Sequence, residues 1–436
     1  SGRAGNGFFL TIFDQHPEVV SCPWIHYIYS YIITAFGNEG TLNSKKVHAF
    51  TTQKTYFKYV YNEPDDKLSA ELYKMGADPS SVVDRKAVRD IFDELVLEEH
   101  LITRKKLILS IYLSFAVGRK KDLSKLKYIL VSDAVSLRIE NVLSDFSGNA
   151  IVAMKQDFDN AKLISLVRDP RANFASNRHQ YINSFGNMYD IRLGNYFSQF
   201  FQLLRRKLSM ESCCVYLFWL CYFVSAARTI FKFKIRYFDN FITVKNEDLN
   251  IHFVSAISVV VKWLDVSFLD EWNKPDYHPT IVGIPWAGTG AYNSRYQKIL
   301  NGPLENDPQE LANKVVGPNK YVTERWKKRM SKNEIYVVEK LFYNEMIAMK
   351  YDFMYYKISD KNRKFVFSLL KPFSGELPSF TWINKGKKSG IREMFNRLFY
   401  SVSFIPFYVF SRIVLLNFIR KDFFINDYIN EYKNIK

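Results

Sequence analysis

The chain has 436 residues, nearly half of them hydrophobic, and carries 61 Lys and Arg against 44 Asp and Glu, a formal net charge of +17. That length suffices for a sizeable core, as one large domain with an extension or as two domains, and the charge calls for an anionic partner: nucleotide, nucleic acid, lipid surface or acidic glycan. The four cysteines, Cys22, Cys213, Cys214 and Cys221, fit neither a zinc site nor a disulfide framework and read as buried thiols of a reducing, cytoplasmic compartment.

The opening stretch "SGRAGNGFFLTIFDQHPEV" (1–19) places Gly2, Gly5 and Gly7 before an apolar run, and Phe8 to Gln15 predicts a short buried helix ended by His16-Pro17. The chain begins inside this motif and without Met, so the natural N-terminus and any targeting segment are expected upstream. A second apolar segment runs from Trp24 to Phe36. Residues 38–125 are polar and helix-rich, with loops at "NEPDD" and "ADPSS". Three apolar runs, "KYILVSD" (127–133), "AKLISLV" (161–167) and "NFITVKN" (240–246), read as buried strands separated by helical pattern. That alternation predicts an α/β fold with a parallel sheet flanked by crossover helices.

Residues 212–227 carry no charge, but the run is shorter than the roughly 20 residues of a membrane span and reads as a buried core helix. A helix is expected at 333–351. From Lys357 to the end, 15 Lys and Arg stand against 6 Asp and Glu, and "NKGKKSGIREMFNR" precedes "LFYSVSFIPFYVFSRIVLLNFIRK". The expected division is therefore a domain at 1–356 and a basic, apolar helical extension at 357–436. Two readings of the extension stay open. It is a helix resting on an anionic membrane through 385–420, which makes the protein peripheral, or a helix pair docked on the core. Pro406 and Arg412 argue against a span.

Glycine loops before a helix aim backbone N–H groups at an anion, with the positive end of the helix dipole behind them. Here Arg3 adds a planar fork suited to phosphate or sulfate oxygens. A nucleoside-triphosphate P-loop needs a Lys-Ser/Thr pair after its last glycine, and Phe8-Phe9 follow Gly7 instead. The Rossmann order of glycines is absent as well. A second constellation, "AKLISLVRDPRANFASNRHQY", ends a strand at Val167 and continues with Arg168. Asp169 suits the cap of the next helix and Pro170 its first position. Arg168 thus leaves the carboxyl edge of the sheet, where open α/β sheets bind ligands, and Ser176 follows two helical turns later.

On these residues the chain resembles the sulfotransferase superfamily that uses 3′-phosphoadenosine 5′-phosphosulfate (PAPS), in a bacterial or Golgi-type variant of its motifs. "GRAGNGFFLTIFDQHPEV" resembles the 5′-phosphosulfate loop and the helix that follows it. "LVRDPRANFAS" resembles the 3′-phosphate motif, "ITVKNEDL" (242–249) and "VVVKWLDV" (259–266) resemble later family stretches, and "PWAGTGAYNSRY" resembles the loop that closes over the nucleotide. The resemblance implies a P-loop-like sulfotransferase architecture and transfer of a sulfuryl group from PAPS to a hydroxyl or amine. It assigns the 5′ end of PAPS to Gly2, Arg3, Ala4, Gly5, Asn6, Gly7 and Phe8, and the 3′-phosphate to Arg168 and Ser176. Arg3 is the expected stabiliser of the leaving group. Ala4, Asn6 and Gly7 depart from the family's hydroxyl residues, and Asn246 replaces its usual Tyr.

Sulfuryl transfer needs a base for the acceptor's proton, and His26 and Asp133 are the candidates. A sulfuryl group carries less charge than a phosphoryl dianion, so no metal is expected. The acceptor is a glycan, a lipid-linked molecule or a small molecule, and no nucleic acid is expected. Two other classes remain: a P-loop-type nucleotide-binding kinase, and a non-enzymatic basic protein that binds membrane or nucleic acid through 357–436.

Overall fold

A computed structural model of the chain describes residues 5–37, 39–65, 83–133, 150–176, 240–286, 317–373 and 390–399, with 402, 405, 406, 409, 412 and 413. The chain divides into two compact units. The first comprises Ser1–Ser136, Phe146–Arg168 and Ile230–Thr323; the second comprises Leu137–Asp145, Asp169–Thr229 and Glu324–Lys436.

The first unit is α/β. In chain order its elements are α1 (Asn6–Ile12), β1 (Val19–His26), α2 (Ile28–Phe36), β2 (Thr41–Asn43), α3 (Ser44–Lys54), α4 (Lys58–Tyr61), α5 (Arg85–Leu97), β3 (Leu101–Thr103), α6 (Arg104–Gly118), β4 (Tyr128–Ser132), α7 (Ala150–Asp157), β5 (Leu163–Val167), β6 (Phe241–Lys245), α8 (Asn246–Ile251), α9 (Phe253–Leu264), β7 (Thr280–Ile281) and β8 (Ile284–Pro285). The pairs β1–β4 and β5–β6 are parallel; β2–β3 and β7–β8 are antiparallel. The three strands expected from apolar runs are β4, β5 and β6, each flanked by helices as the alternation requires.

The strand β1 was not expected. Pro23 has no N–H for the ladder and breaks the apolar pattern, so Val19–His26 does not look like a strand in sequence. The structure accommodates it through a register irregularity between Ser21 and His26, where the pairing moves from Ser21↔Leu130 to His26↔Ser132.

The core explains why α1 is short. Phe8, Phe9, Ile12 and Phe13 share one buried core with Val19, Val20, Trp24 and Ile25 of β1 and Leu107, Ile111 and Phe115 of α6. Phe13 meets Trp272 edge-on, with ring centroids 5.7 Å apart. The helix ends at Ile12, short of the expected end at Gln15, and a turn in which His16 N donates to Phe13 O at 3.1 Å leads into the His-Pro pair. The helix-rich middle begins its helices with polar caps: the side chains of Asn43, Asp84 and Thr103 accept from Lys46 N, Ala87 N and Lys106 N. Arg104 and Asp157 join α6 to α7 through a buried two-pronged ion pair of 2.6 and 3.0 Å.

The described elements of the second unit are helices. A helix covers 170–176, followed by α10 (Trp326–Arg329), α11 (Lys332–Leu341), α12 (Tyr343–Ala348) and α13 (Asn362–Leu370). The helix expected at 333–351 is thus α11 and α12, with a break at Phe342. Ser331 and Glu334 form a reciprocal capping box at the start of α11. Residues 391–399 are helical, as are the described positions between 402 and 413. Among the described residues, no helix is long and apolar enough to cross a membrane. The core helix expected at 212–227 and the loop at "ADPSS" lie outside the described residues.

Candidate functional site

The glycine loop enters the described structure at Gly5. Gly5 adopts φ +103°, a left-handed conformation, and turns the chain into α1. A Cβ there would lie inside the van der Waals envelope of Asn246 Nδ2. Only glycine satisfies both demands, the backbone sign and the close approach. At Gly7, two residues on, a Cβ would meet nothing within 4 Å. Asn6, Gly7 and Phe8 form the first turn of α1, while Gly2, Arg3 and Ala4 lie outside the described residues.

Asn246 is the first residue of α8 and directly follows β6. The last paired residues of β5 and β6 are Val167 and Lys245. Arg168 and Asn246 are therefore neighbours at one strand edge, since parallel strands lie about 4.8 Å apart. The structure thus brings Gly5 and Arg168 to the same edge of β5–β6. Arg168 is half-buried, and its Nη2 donates to Val322 O at 3.1 Å. The same edge carries a chain of buried amides. Asn250 Nδ2 donates to Asn246 O at 2.7 Å, and Asn250 Oδ1 accepts from Asn319 N at 3.1 Å. Residues 319–322 thus reach this edge. Asn250 and Asn319 were missed. Their only sequence signal is the four-residue spacing of Asn246 and Asn250, which sets both on one helix face.

Of the late stretch "PWAGTGAYNSRY", Trp286 is described and 287–296 are not. Trp286 stacks on Phe8 of α1, with centroids 5.8 Å apart and rings 26° from parallel. Its indole Nε1–H is buried and has no hydrogen-bond partner among the described residues. A buried donor left so is a costly arrangement unless a ligand or water takes it.

The two candidate bases lie together at the end of the other parallel pair. His26 closes β1 in register with Ser132, and its Nδ1 stands 3.4 Å from Ser132 Oγ. Its ring contacts Tyr27 and Tyr56. Asp133 follows Ser132, and its carboxylate accepts from Ser30 N at 3.1 Å and Ser30 Oγ at 2.6 Å. Asp133 thereby satisfies an open N–H in the first turn of α2. Between them, Tyr27 sits at φ +58°, a rare conformation for a bulky side chain.

The remaining motif residues prove structural. His16 is fully buried; Nε2 donates to Ser267 O at 2.8 Å and Nδ1 accepts from Glu18 N at 3.1 Å, which fixes a neutral ring. Asp14 accepts from Thr280 Oγ1 and Gly283 N, both at 2.8 Å, and so ties α1 to the β7–β8 turn.

Asp169 caps the helix at 170–176 as expected, accepting from Arg171 N at 2.8 Å. Arg171 does not add free positive charge. Its guanidinium is buried between Asp169 and Glu339, at 2.7 and 2.6 Å, and stacks over Trp326. Ser176 ends the described part of that helix, in the second unit. Among the described residues, no group of His, Cys, Asp or Glu is arranged to hold a metal ion.

Comparison with known proteins finds no matching family model, no matching curated protein and no matching solved structure.

Proposed function

We propose that the chain is a sulfotransferase that takes a sulfuryl group from PAPS and passes it to a hydroxyl or amine acceptor, with the P-loop-like architecture its motifs resemble. The observation that carries this reading is the meeting of Gly5 and Arg168 at one edge of β5–β6, through Asn246. The two motifs lie more than 160 residues apart in sequence, yet they serve the two ends of one bisphosphorylated nucleotide only if they share an edge. The local chemistry suits such a group. Gly5 leaves no room for a side chain, Trp286 holds a buried N–H with no acceptor among the described residues, and Arg168 supplies a guanidinium.

In this reading Arg168 holds the 3′-phosphate. Backbone N–H groups of Gly5, Asn6, Gly7 and Phe8, with Gly2, Arg3 and Ala4 before them, take the 5′ end, and Arg3 steadies the leaving phosphate. PAPS, when bound, supplies the activated sulfuryl group. The acceptor's proton passes to His26, since imidazole is the side chain whose ordinary range lies nearest neutrality, with Asp133 at the same strand end as the alternative base. The tyrosines around His26 favour an acceptor with a flat or ring-shaped face, such as a sugar.

The test is calorimetric titration of the full chain with adenosine 3′,5′-bisphosphate. Arg168→Ala removes a charged hydrogen bond, worth about 1.5–3 kcal/mol, and is expected to weaken binding by roughly ten- to a hundredfold. An unchanged affinity removes Arg168 from the site. Failure of the unaltered chain to bind overturns the reading.

A further inference from the structure

The second unit carries its apolar residues on the wrong side of a helix. Ile391, Phe395, Leu398, Phe399, Val402, Ile405, Val409 and Ile413 are 44–68 % exposed, and every described residue from 391 to 413 is helical. At 100° per residue these eight positions fall within an arc of about 120°. Of the described residues off this arc, Met394 is partly covered, and the others that are covered are polar. Glu393 and Arg397 are partly covered, and Arg412 is fully buried with its guanidinium 4.8 Å from the Phe373 ring. In a surface helix of a water-facing protein the pattern runs the other way.

Charge says what covers this face. On the neighbouring stretch, Lys361, Arg363 and Lys371 are exposed, with Phe367 and Leu370 exposed beside them on α13, and Arg392 is exposed at the start of the 391–413 segment. The described acids of the region are already paired: Asp360 with Lys364 at 2.9 Å and Glu393 with Arg397 at 3.0 Å. The sequence adds Lys385, Lys387 and Lys388 immediately upstream. An outward apolar arc flanked by excess cations matches a helix lying in the headgroup region of an anionic bilayer. The buried Arg412 fixes the far end of the segment to its own unit, so the helix lies along the surface and does not cross it.

We propose that the face from Ile391 to Ile413 docks on anionic lipid and holds the protein peripherally on a membrane. The full chain is expected to co-sediment with vesicles of phosphatidylcholine containing about one-third phosphatidylglycerol, and to do so far less with phosphatidylcholine alone or at about 0.5 M salt. Phe395→Asp combined with Val402→Asp is expected to lower the bound fraction at least about tenfold. Both side chains are exposed, so the circular dichroism spectrum and melting temperature stay those of the unaltered chain. Lys371→Glu combined with Arg392→Glu is expected to weaken anionic vesicles selectively. Equal sedimentation of the aspartate variant and the unaltered chain overturns the proposal. So does a chain that ignores vesicles but self-associates in solution and becomes monomeric with the aspartates, which assigns the face to a second copy.

Discussion

Gly5 and Gly7 stand two residues apart and meet different surroundings, and the difference separates folding from ligand approach. Gly5→Ala forces a left-handed alanine and drives Cβ into Asn246, so it is expected to cost about 1–3 kcal/mol of stability whatever binds there. Gly7→Ala meets open space and should melt with the unaltered chain. If the backbone at Gly7 closes on an anion, the same methyl intrudes on that contact, and affinity for adenosine 3′,5′-bisphosphate falls at unchanged stability. Thermal melts and titration of the two variants, side by side, check this. A stable Gly5→Ala variant would sink the assigned contact with Asn246. At this scale the sequence was informative about glycine and arginine, whose chemistry is local. It was silent about Asn250 and Asn319, because amides 69 residues apart announce no partnership until the chain folds.

Among whole elements, β4, β5 and β6 were legible because each is a continuous run of β-branched and apolar residues. The strand β1 was hidden by Pro23, and β2 and β3, three residues each, are too short for any period to register. The Asp-Pro-Arg turn was half legible. Its cap followed from local chemistry, but the destination of Arg171 required α11, 168 residues on. Glu339 in α11 is the hub of that arrangement. It is fully buried and accepts from Arg171 Nη1 at 2.6 Å and from Met354 N, Tyr355 N and Tyr356 N at 2.8–2.9 Å. Glu339→Gln puts an amide N–H against these donors and leaves a buried guanidinium short of its charge partner. The expected loss is about 3–5 kcal/mol, read as a lowered denaturant midpoint. Glu324→Gln removes an exposed pair with Lys327 and should cost about 0–1 kcal/mol. Similar losses in the two variants would argue against Glu339 as a structural hub.

Across the whole molecule the net charge is uneven: residues 357–436, with 15 cations and 6 acids, hold more than half of the +17. Positive excess makes the few well-placed carboxylates matter, and the first unit rests on one of them near its His-Pro turn. Glu18 bonds Lys127 Nζ at 2.6 Å and accepts from Ser267 N at 2.5 Å. These bonds, the lysine's first, hold its carboxyl down at about 2, against 4.5 in the unfolded chain. Beside it, burial lowers His16 below its usual 6.5, against the opposing bond to Ser267 O. Both folded-state values are depressed, so the unfolded chain binds more protons and stability falls as pH falls. The His16 contribution starts to go near pH 6.5, and that of Glu18 is complete above about 4.5 and lost toward about 2. Melting temperature followed from pH 7 to pH 3 should therefore decline in two stages. Glu18→Gln, which cannot titrate, should lower the melting temperature at pH 7 by about 3 °C and flatten the stage below pH 4.5, leaving the His16 stage intact. A variant whose acid decline parallels that of the unaltered chain would place the acid sensitivity elsewhere, because no other change to the charge of this turn has been made.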